Sequence, residues 1–433
     1  MRVYLERVGC KLNQSEIEAL GRGFVQAGHR LVQASEEADL CVVNTCTVTH
    51  VADRKSRQLI RRLRRANPTA RLVVTGCYAE MSPQEIRAID GVDLIVGNED
   101  KEQLVELAEN LERESSGSRA PVLNLKPETS NFKLQMGHTR AFVKIQDGCN
   151  NRCAYCIVSL ARGSERSRPR QEILTEIEAL IAAGCKEVVL TGVHIGGYGR
   201  DLGTGLGQLV VAILTETAVA RLSAPRLRLS SIEPWDLEPS LLRLWDNPRL
   251  CRHLHLPLQS GCDATLRRMG RRYTTSQYAR LVADARRLIP DLAVTTDVIV
   301  GFPGETADEF AVSLSFVEQV GFARTHVFKY SARPGTAAVE MPHQVLYAEK
   351  KRRSEAMLEL ARESSRRFWR KFLGQRMEVL WETVCRDDKH AWSGLTDNYI
   401  RVTTRSERDL ANTITSTKLV GLVKGGMRGE VTV

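Results

Sequence analysis

No run in this 433-residue sequence is long and apolar enough to cross a bilayer. Its opening, Met1-Arg2-Val3-Tyr4-Leu5-Glu6-Arg7, lacks the apolar core of a secretory leader. A membrane partner is therefore not expected, and a cytoplasmic location is. Missing too is any fourth Cys or His close to Cys156, so the nearby thiols lack the four closed ligands of structural zinc. Eleven cysteines in a reducing compartment argue for ligands or packed thiols over disulfides. The composition, 42% hydrophobic and 26% charged, is that of a globular protein, and the length calls for two or three domains. A net charge of +10 favours a polyanionic partner such as nucleic acid, although charge alone is a weak signal.

What the sequence has is thiols in pattern. Gln146-Asp147-Gly148-Cys149-Asn150-Asn151-Arg152-Cys153-Ala154-Tyr155-Cys156 sets three of them at a C-x3-C-x2-C spacing. The apolar run Ala141–Ile145 just before it predicts a strand, with the cysteines in the loop leaving its C-terminal end. Three such thiolates can hold three irons of a cubane cluster and leave the fourth iron open to the amino and carboxylate groups of S-adenosylmethionine (SAM). This arrangement resembles the radical SAM superfamily, in which electron transfer from the cluster cleaves SAM to a 5′-deoxyadenosyl radical.

Residues 1–112 alternate strand-like and helix-like segments, which predicts a parallel α/β sheet. Strands are expected at 3–5, 40–43, 71–74 and 94–96, with helices near 15–27, 51–66, 83–90 and 101–113. Cys10, Cys46 and Cys77 each follow a strand beside Gly, Asn or Thr, so their loops can converge on the sheet edge where open α/β folds bind ligands. Spacing alone leaves these three open between packing and ligation, while Cys41 reads as core. The basic helix Arg54–Arg65 buries Leu59, Ile60 and Leu63 and leaves its arginines either merely solvated or free to contact phosphate. Residues 113–137 are Ser-rich and aperiodic and read as a linker.

From 138 to 370 strand and helix repeat, with strands expected at 141–145, 187–191, 226–230, 253–257, 294–300 and 325–330. Six such units predict a partial (β/α)6 barrel, whose chemistry belongs at the C-terminal ends of the strands. The loops there hold Gly192 in Thr191–Gly199, Glu233, Gln259-Ser260, and Gly301-Phe302-Pro303-Gly304 after Ile299. Glu233 reads either as a SAM contact or as an ordinary exposed acid. Arg162 and Arg166–Arg170 read as a cationic wall facing SAM or RNA, and His194 receives no role. Cys185, Cys251, Cys262 and Cys385 have no partners at metal spacing and read as non-ligands. Residues 371–433 change to short alternating strands, at 376–382, 399–402 and 429–433, with turns containing Gly394 and Asp397-Asn398. This predicts a small β-barrel, in which Trp381, Trp392 and Tyr399 are either an RNA surface or core.

Gly9-Cys10-Lys11-Leu12-Asn13-Gln14-Ser15-Glu16, Asn44-Thr45-Cys46 and Thr75-Gly76-Cys77, followed by the triplet at Cys149, Cys153 and Cys156, resemble the methylthiotransferase family across nearly the whole chain. The resemblance implies a second, auxiliary [4Fe–4S] cluster on Cys10, Cys46 and Cys77 that carries the transferred sulfur. It implies SAM contacts from Tyr155, Gly192, Glu233, Gln259, Ser260, Ile299 and Gly301, and an OB-like TRAM domain at 371–433. It also implies tRNA as partner, at adenosine 37 of the anticodon loop, and a reducing protein as electron donor. One SAM would methylate a sulfur on the auxiliary cluster, and a second would yield the radical that activates the target carbon. The Lys11-Leu12-Asn13-Gln14 form is most like the branch acting on N6-threonylcarbamoyladenosine. Other branches act on isopentenyladenosine 37 or a ribosomal-protein aspartate. A different class of answer is an RNA-binding protein with non-catalytic clusters.

Overall fold

The computed structural model describes residues 1–116, 139–217, 225–385 and 388–431. The linker expected at 113–137 thus lies outside the described residues from 117 on, and residues 113–116 end a helix. The amino-terminal strands β1 (Arg2–Arg7), β2 (Arg30–Leu31), β3 (Leu40–Thr45), β4 (Arg71–Gly76) and β5 (Leu94–Val96) form one parallel sheet in the order β2-β1-β3-β4-β5. β3 is buried along its whole length because helices cover both faces, as its continuous apolar run requires. Those helices are α1 (Lys11–Gln26), α2 (His50–Ala66), α3 (Cys77–Met81), α4 (Pro83–Arg87) and α5 (Leu104–Ser116). The helix expected near 83–90 is the shorter α4, and a further short helix, α3, precedes it; Ser82 separates the two, because the residue before a proline disfavours helical backbone. Cys41 packs in the core beneath α2.

The central strands are β6 (Arg140–Lys144), the two-residue pair β7 (Gln146–Asp147) and β8 (Arg166–Ser167), then β9 (Glu187–Thr191), β10 (Arg226–Leu229), β11 (His253–His255), β12 (Ala293–Val300) and β13 (Arg324–Lys329). β10-β9-β6 and β11-β12-β13 are parallel sheets, joined by a parallel bridge between Ser231 and His255. The result is a six-stranded arc, the partial barrel expected, with one apolar core between its strands and the helices outside them. Its outer strand β6 is not bare. Ser15 Oγ donates to the Phe142 carbonyl at 2.9 Å, and Glu18 Oε2 accepts from the Phe142 N–H at 3.5 Å. α1 of the first sheet therefore covers the edge that an open barrel would expose.

The carboxy-terminal strands β14 (Arg376–Cys385), β15 (Asp388–Thr396), β16 (Arg401–Arg405), β17 (Ile414–Val423) and β18 (Gly426–Val431) close into a small barrel. Gly394 lies within β15 and not in a turn, because a Cβ there would stand 2.5 Å from the Leu380 carbonyl oxygen of the neighbouring strand. Trp381 and Trp392 are core, beside Phe368 and Phe372 of the long helix Tyr347–Arg370 and its C-terminal end. Tyr399 turns toward the six-stranded barrel, where its ring stacks on His253 at 4.3 Å. Trp381 and Trp392 are therefore core and not surface. Arg228, buried and paired with Glu187 at 2.7 Å, reaches the carbonyls of Thr396 and Asp397, and so ties the two barrels together.

Candidate functional site

β1, β3 and β4 are neighbours in the sheet, so the loops at their C-terminal ends meet, and these loops carry Cys10, Cys46 and Cys77. Two glycines let them approach. Gly9, at φ +113°, would place a Cβ 2.6 Å from the Cys46 Cβ, and Gly76, at φ +97°, would place one 2.4 Å from Asn44 Oδ1. Asn13 Nδ2 laces the loops by donating to the carbonyls of Val8 at 2.7 Å and Thr45 at 2.9 Å. Burial pushes the Cys46 thiol up to about 12, with Cys10 and Cys77 close enough to add to the effect. Burial also raises Cys77, against the charges of Arg162 and Lys101.

The second triplet follows Gly148, which sits at φ +69° and whose Cβ would collide with the Ser164 carbonyl oxygen at 1.9 Å. The Cys149 N–H donates to the Gly163 carbonyl at 3.0 Å, and the Ala154 N–H to that of Met269 at 3.0 Å, which fixes both ends of the loop. Burial raises Cys153 and pushes Cys156 up to about 12, and the neighbouring thiols add to both shifts. Arg271 Nη1 lies 3.6 Å from Cys153 Sγ and is ion-paired with Glu233. His194, held at 2.7 Å by Glu165 and 2.5 Å by Asp236, lies beside Cys149. Burial opposes its charge, but bonds to Asp236, Cys149 and Glu165 lift its pKa to about 10.

One side chain joins the two thiol sets. Arg162, in the helix Val158–Arg162 behind the second triplet, donates from Nε to Cys77 Sγ at 3.2 Å. Its Nη1 bonds Glu16 at 2.6 Å and Asp147 at 3.1 Å, and its Nη2 bonds Asn13 at 3.2 Å. Lys101 also pairs with Glu16, at 2.8 Å. Arg162 is therefore buried between the sheets and does not belong to an open wall with Arg166, Arg168 and Arg170, of which Arg168 and Arg170 pair with Glu176 and Glu216. In α2, Arg57, Arg62 and Arg64 are similarly engaged, by Glu85, Glu6 and Asp93.

The other candidate residues gather at the strand ends of the barrel. Gly192 passes so near Gln146 that a Cβ would stand 2.8 Å from its carbonyl oxygen. Gln259, at φ +65°, bridges to Val298, and Ser260 is fully buried. Ile299 and Tyr155 pack with Phe302 in one small cluster. Gly301, at φ +70°, turns the chain against Lys350 and donates its N–H to Glu305 at 2.6 Å. Glu233 is occupied by Arg271 and is not a free acid. Cys185, Cys251 and Cys262 are buried, and Cys385 ends β14.

Each triplet offers three soft sulfur donors, glycines that let backbone come close, and a guanidinium at one thiol to offset anionic charge. That donor set fits an iron–sulfur cluster. Arg271 and the His194 pair with Asp236 escaped sequence reading, and Arg162 and Glu16 were read without the contacts they make, since those partners are remote in the chain. Only the Asn13–Glu16 stretch behind Cys10 carried a signal.

Residues 2–97 match the model of the uncharacterized protein family UPF0004, and residues 143–317 that of the radical SAM superfamily. The chain is 37% identical to the threonylcarbamoyladenosine tRNA methylthiotransferase MtaB of Bacillus subtilis, over 96% of this chain and 93% of that protein. It is 34% identical to a tRNA-2-methylthio-N(6)-dimethylallyladenosine synthase of Desulfitobacterium hafniense, over 94% and 92%. In fold it resembles the radical S-adenosylmethionine methyltransferase TsrM of Kitasatospora setae, with a TM-score of 0.55 at 17% identity, covering 76% of this chain and 73% of that one.

Proposed function

The chain belongs to the methylthiotransferase family of radical SAM enzymes, and from that premise we propose that it converts N6-threonylcarbamoyladenosine at position 37 of tRNA to its 2-methylthio derivative. The observation that carries the choice of substrate is the 37% identity, over 96% of the chain, to a relative named for that nucleoside. In this reading Cys149, Cys153 and Cys156 hold the [4Fe–4S] cluster that binds SAM, and Cys10, Cys46 and Cys77 hold a second. When bound, the clusters and SAM supply the electron, the radical, the methyl group and the sulfur for a C–H bond too inert for acid–base chemistry.

The chain's own residues hold, orient and seal. Arg271 and Arg162 set fixed positive charge at Cys153 and Cys77, which favours thiolate over thiol once ligands occupy the sites. His194, charged between its two carboxylates, adds a third such group at Cys149. Tyr155, Gly192, Glu233, Gln259, Ser260, Ile299 and Gly301 are the proposed SAM contacts. Arg162, bonded to Cys77 on one side and Asp147 on the other, keeps the two triplets in fixed register. Proximity of this kind is what transfer between two centres requires. No helix among the described residues is long and apolar enough to cross a membrane.

The test is mass spectrometry of tRNA nucleosides from cells with and without the gene. Loss of 2-methylthio-threonylcarbamoyladenosine supports the reading. Loss of the dimethylallyl counterpart moves the substrate to the other branch. Unchanged tRNA sends the search to ribosomal protein. Intact clusters that never cleave SAM to 5′-deoxyadenosine would leave a non-catalytic RNA-binding protein.

A further inference from the structure

Below the strand end that carries Ile299, the interior of the six-stranded barrel is polar. Side chains alternate along β12, so Thr295, Asp297 and Ile299 share its inner face, with Asp297 about 7 Å below Ile299 at roughly 3.3 Å per residue. His255 stands opposite Thr295 and His326 opposite Asp297. The floor is Tyr399, stacked on His253. Into this space comes Lys11, the first residue of α1 and the neighbour of Cys10, with its Nζ 5.8 Å from the centre of the Tyr399 ring.

The charged groups around Lys11 are nearly all committed elsewhere. Arg228 is held by Glu187, and Arg140 by Glu382. Asp297, the one carboxylate that faces Lys11, pairs with His255 at 3.3 Å. Among the described residues Lys11 makes no hydrogen bond and no ion pair. His326 has the ring of His255 beside it and the Asp297 carboxylate within 4.8 Å. A half-buried ammonium with no hydrogen-bond acceptor is costly unless an anion arrives to meet it. The adenosine arm of the proposed substrate ends in a threonine carboxylate and hydroxyl. A dimethylallyl arm ends in hydrocarbon and would bury the ammonium without a partner.

We propose that Lys11, with His326 beside it, receives the carboxylate of the threonylcarbamoyl arm, so that Lys11 selects a carboxylated adenosine over one bearing an apolar arm. This rests on the substrate reading above and makes Lys11 a specificity-determining residue. Its position also suits the reaction, since Cys10 belongs to the second thiol set, and a group anchored on Lys11 lies one residue from that set.

The experiment uses the full-length protein with both clusters reconstituted and synthetic anticodon stem-loops differing only in the arm: threonylcarbamoyl acid, its neutral carboxamide, and dimethylallyl. Wild type is expected to favour the acid over the carboxamide by about ten- to a hundredfold in kcat/KM, the range of a charge-assisted bond. Lys11→Met is expected to bring that ratio to within about threefold of one. Equal use of acid and carboxamide by wild type, or an unchanged ratio in Lys11→Met, overturns the proposal. Should Lys11→Met turn over none of the RNAs, the wild-type ratio decides alone. Wild-type turnover of the dimethylallyl stem-loop with none of the acid overturns the substrate reading instead.

Discussion

The Nε of Arg162 donates to the Sγ of Cys77 at 3.2 Å, although the two residues are 85 positions apart and come from different helices. The same guanidinium holds Asp147, two residues ahead of Cys149, so one side chain touches the surroundings of both thiol sets.

Replacing Arg162 by Met leaves Asp147 without its strongest partner and Glu16 without its guanidinium, held only by Lys101, Asn44 and, at 4.0 Å, Lys144. Breaking a buried charge cluster in this way costs about 3–5 kcal/mol. Thermal melting of the cluster-free protein should drop accordingly, and iron bound after reconstitution should fall by about half, at the Cys77 set. Arg162→Lys restores the charge but not the fork and should recover only part of either loss.

The two thiol sets should separate in function. Cys153→Ala is expected to abolish 5′-deoxyadenosine formation from SAM under reducing, anaerobic conditions. Cys77→Ala should retain that cleavage yet form no methylthiolated nucleoside. Equal loss of both products in both variants would refute the division of labour.

Glu18 gives a pH dependence. Burial pushes its carboxyl up to about 7, against a bond from Gln14, while the unfolded chain keeps the ordinary value of 4.5. Between those values the folded state holds a proton that the unfolded state has released. Stability therefore falls as pH rises from about 4.5 to 7, by up to about 3 kcal/mol at 1.36 kcal/mol per unit. Glu18→Gln keeps one of the two acceptor oxygens and removes the titration. Urea unfolding of the two proteins should agree most closely near pH 5 and diverge toward pH 8, where Glu18→Gln should be the more stable.

Gly148→Ala tests the loop before the second triplet. The added methyl meets the Ser164 carbonyl at 1.9 Å in a backbone conformation that already disfavours alanine. SAM cleavage should be lost together with the iron of that set, while Gly184→Ala, at a similar φ but with open space around it, should bind full iron.

Strands and thiols were legible in the sequence because both are local. β3, β4 and β9 are short apolar runs bounded by polar residues, and each cysteine loop is marked by its own Gly, Asn or Thr. Less local features were not. β15 and β17 went unread because Gly394 and the Thr-Ser-Thr stretch in β17 look like turn chemistry, and only a close-packed neighbour makes a strand of the first. Arg162 read as one of a row of exposed cations, since nothing near it in sequence announces Glu16 or Cys77. Trp381 and Trp392 could have faced solvent or core, and barrel closure settled it. Lys11 looked like part of a motif, and its position over Tyr399 depends on the amino-terminal sheet and both barrels at once.

The bond from Ser15 to the Phe142 carbonyl has a consequence for dissecting the molecule. A polypeptide starting at residue 139 would carry all three thiols of its own triplet and all six strands of its arc. It would also present β6 as a naked rim, ready to zip onto the next copy. Gene fission at that point would yield insoluble material and not a simpler radical enzyme, so the amino-terminal sheet has to be inherited with the barrel it shields.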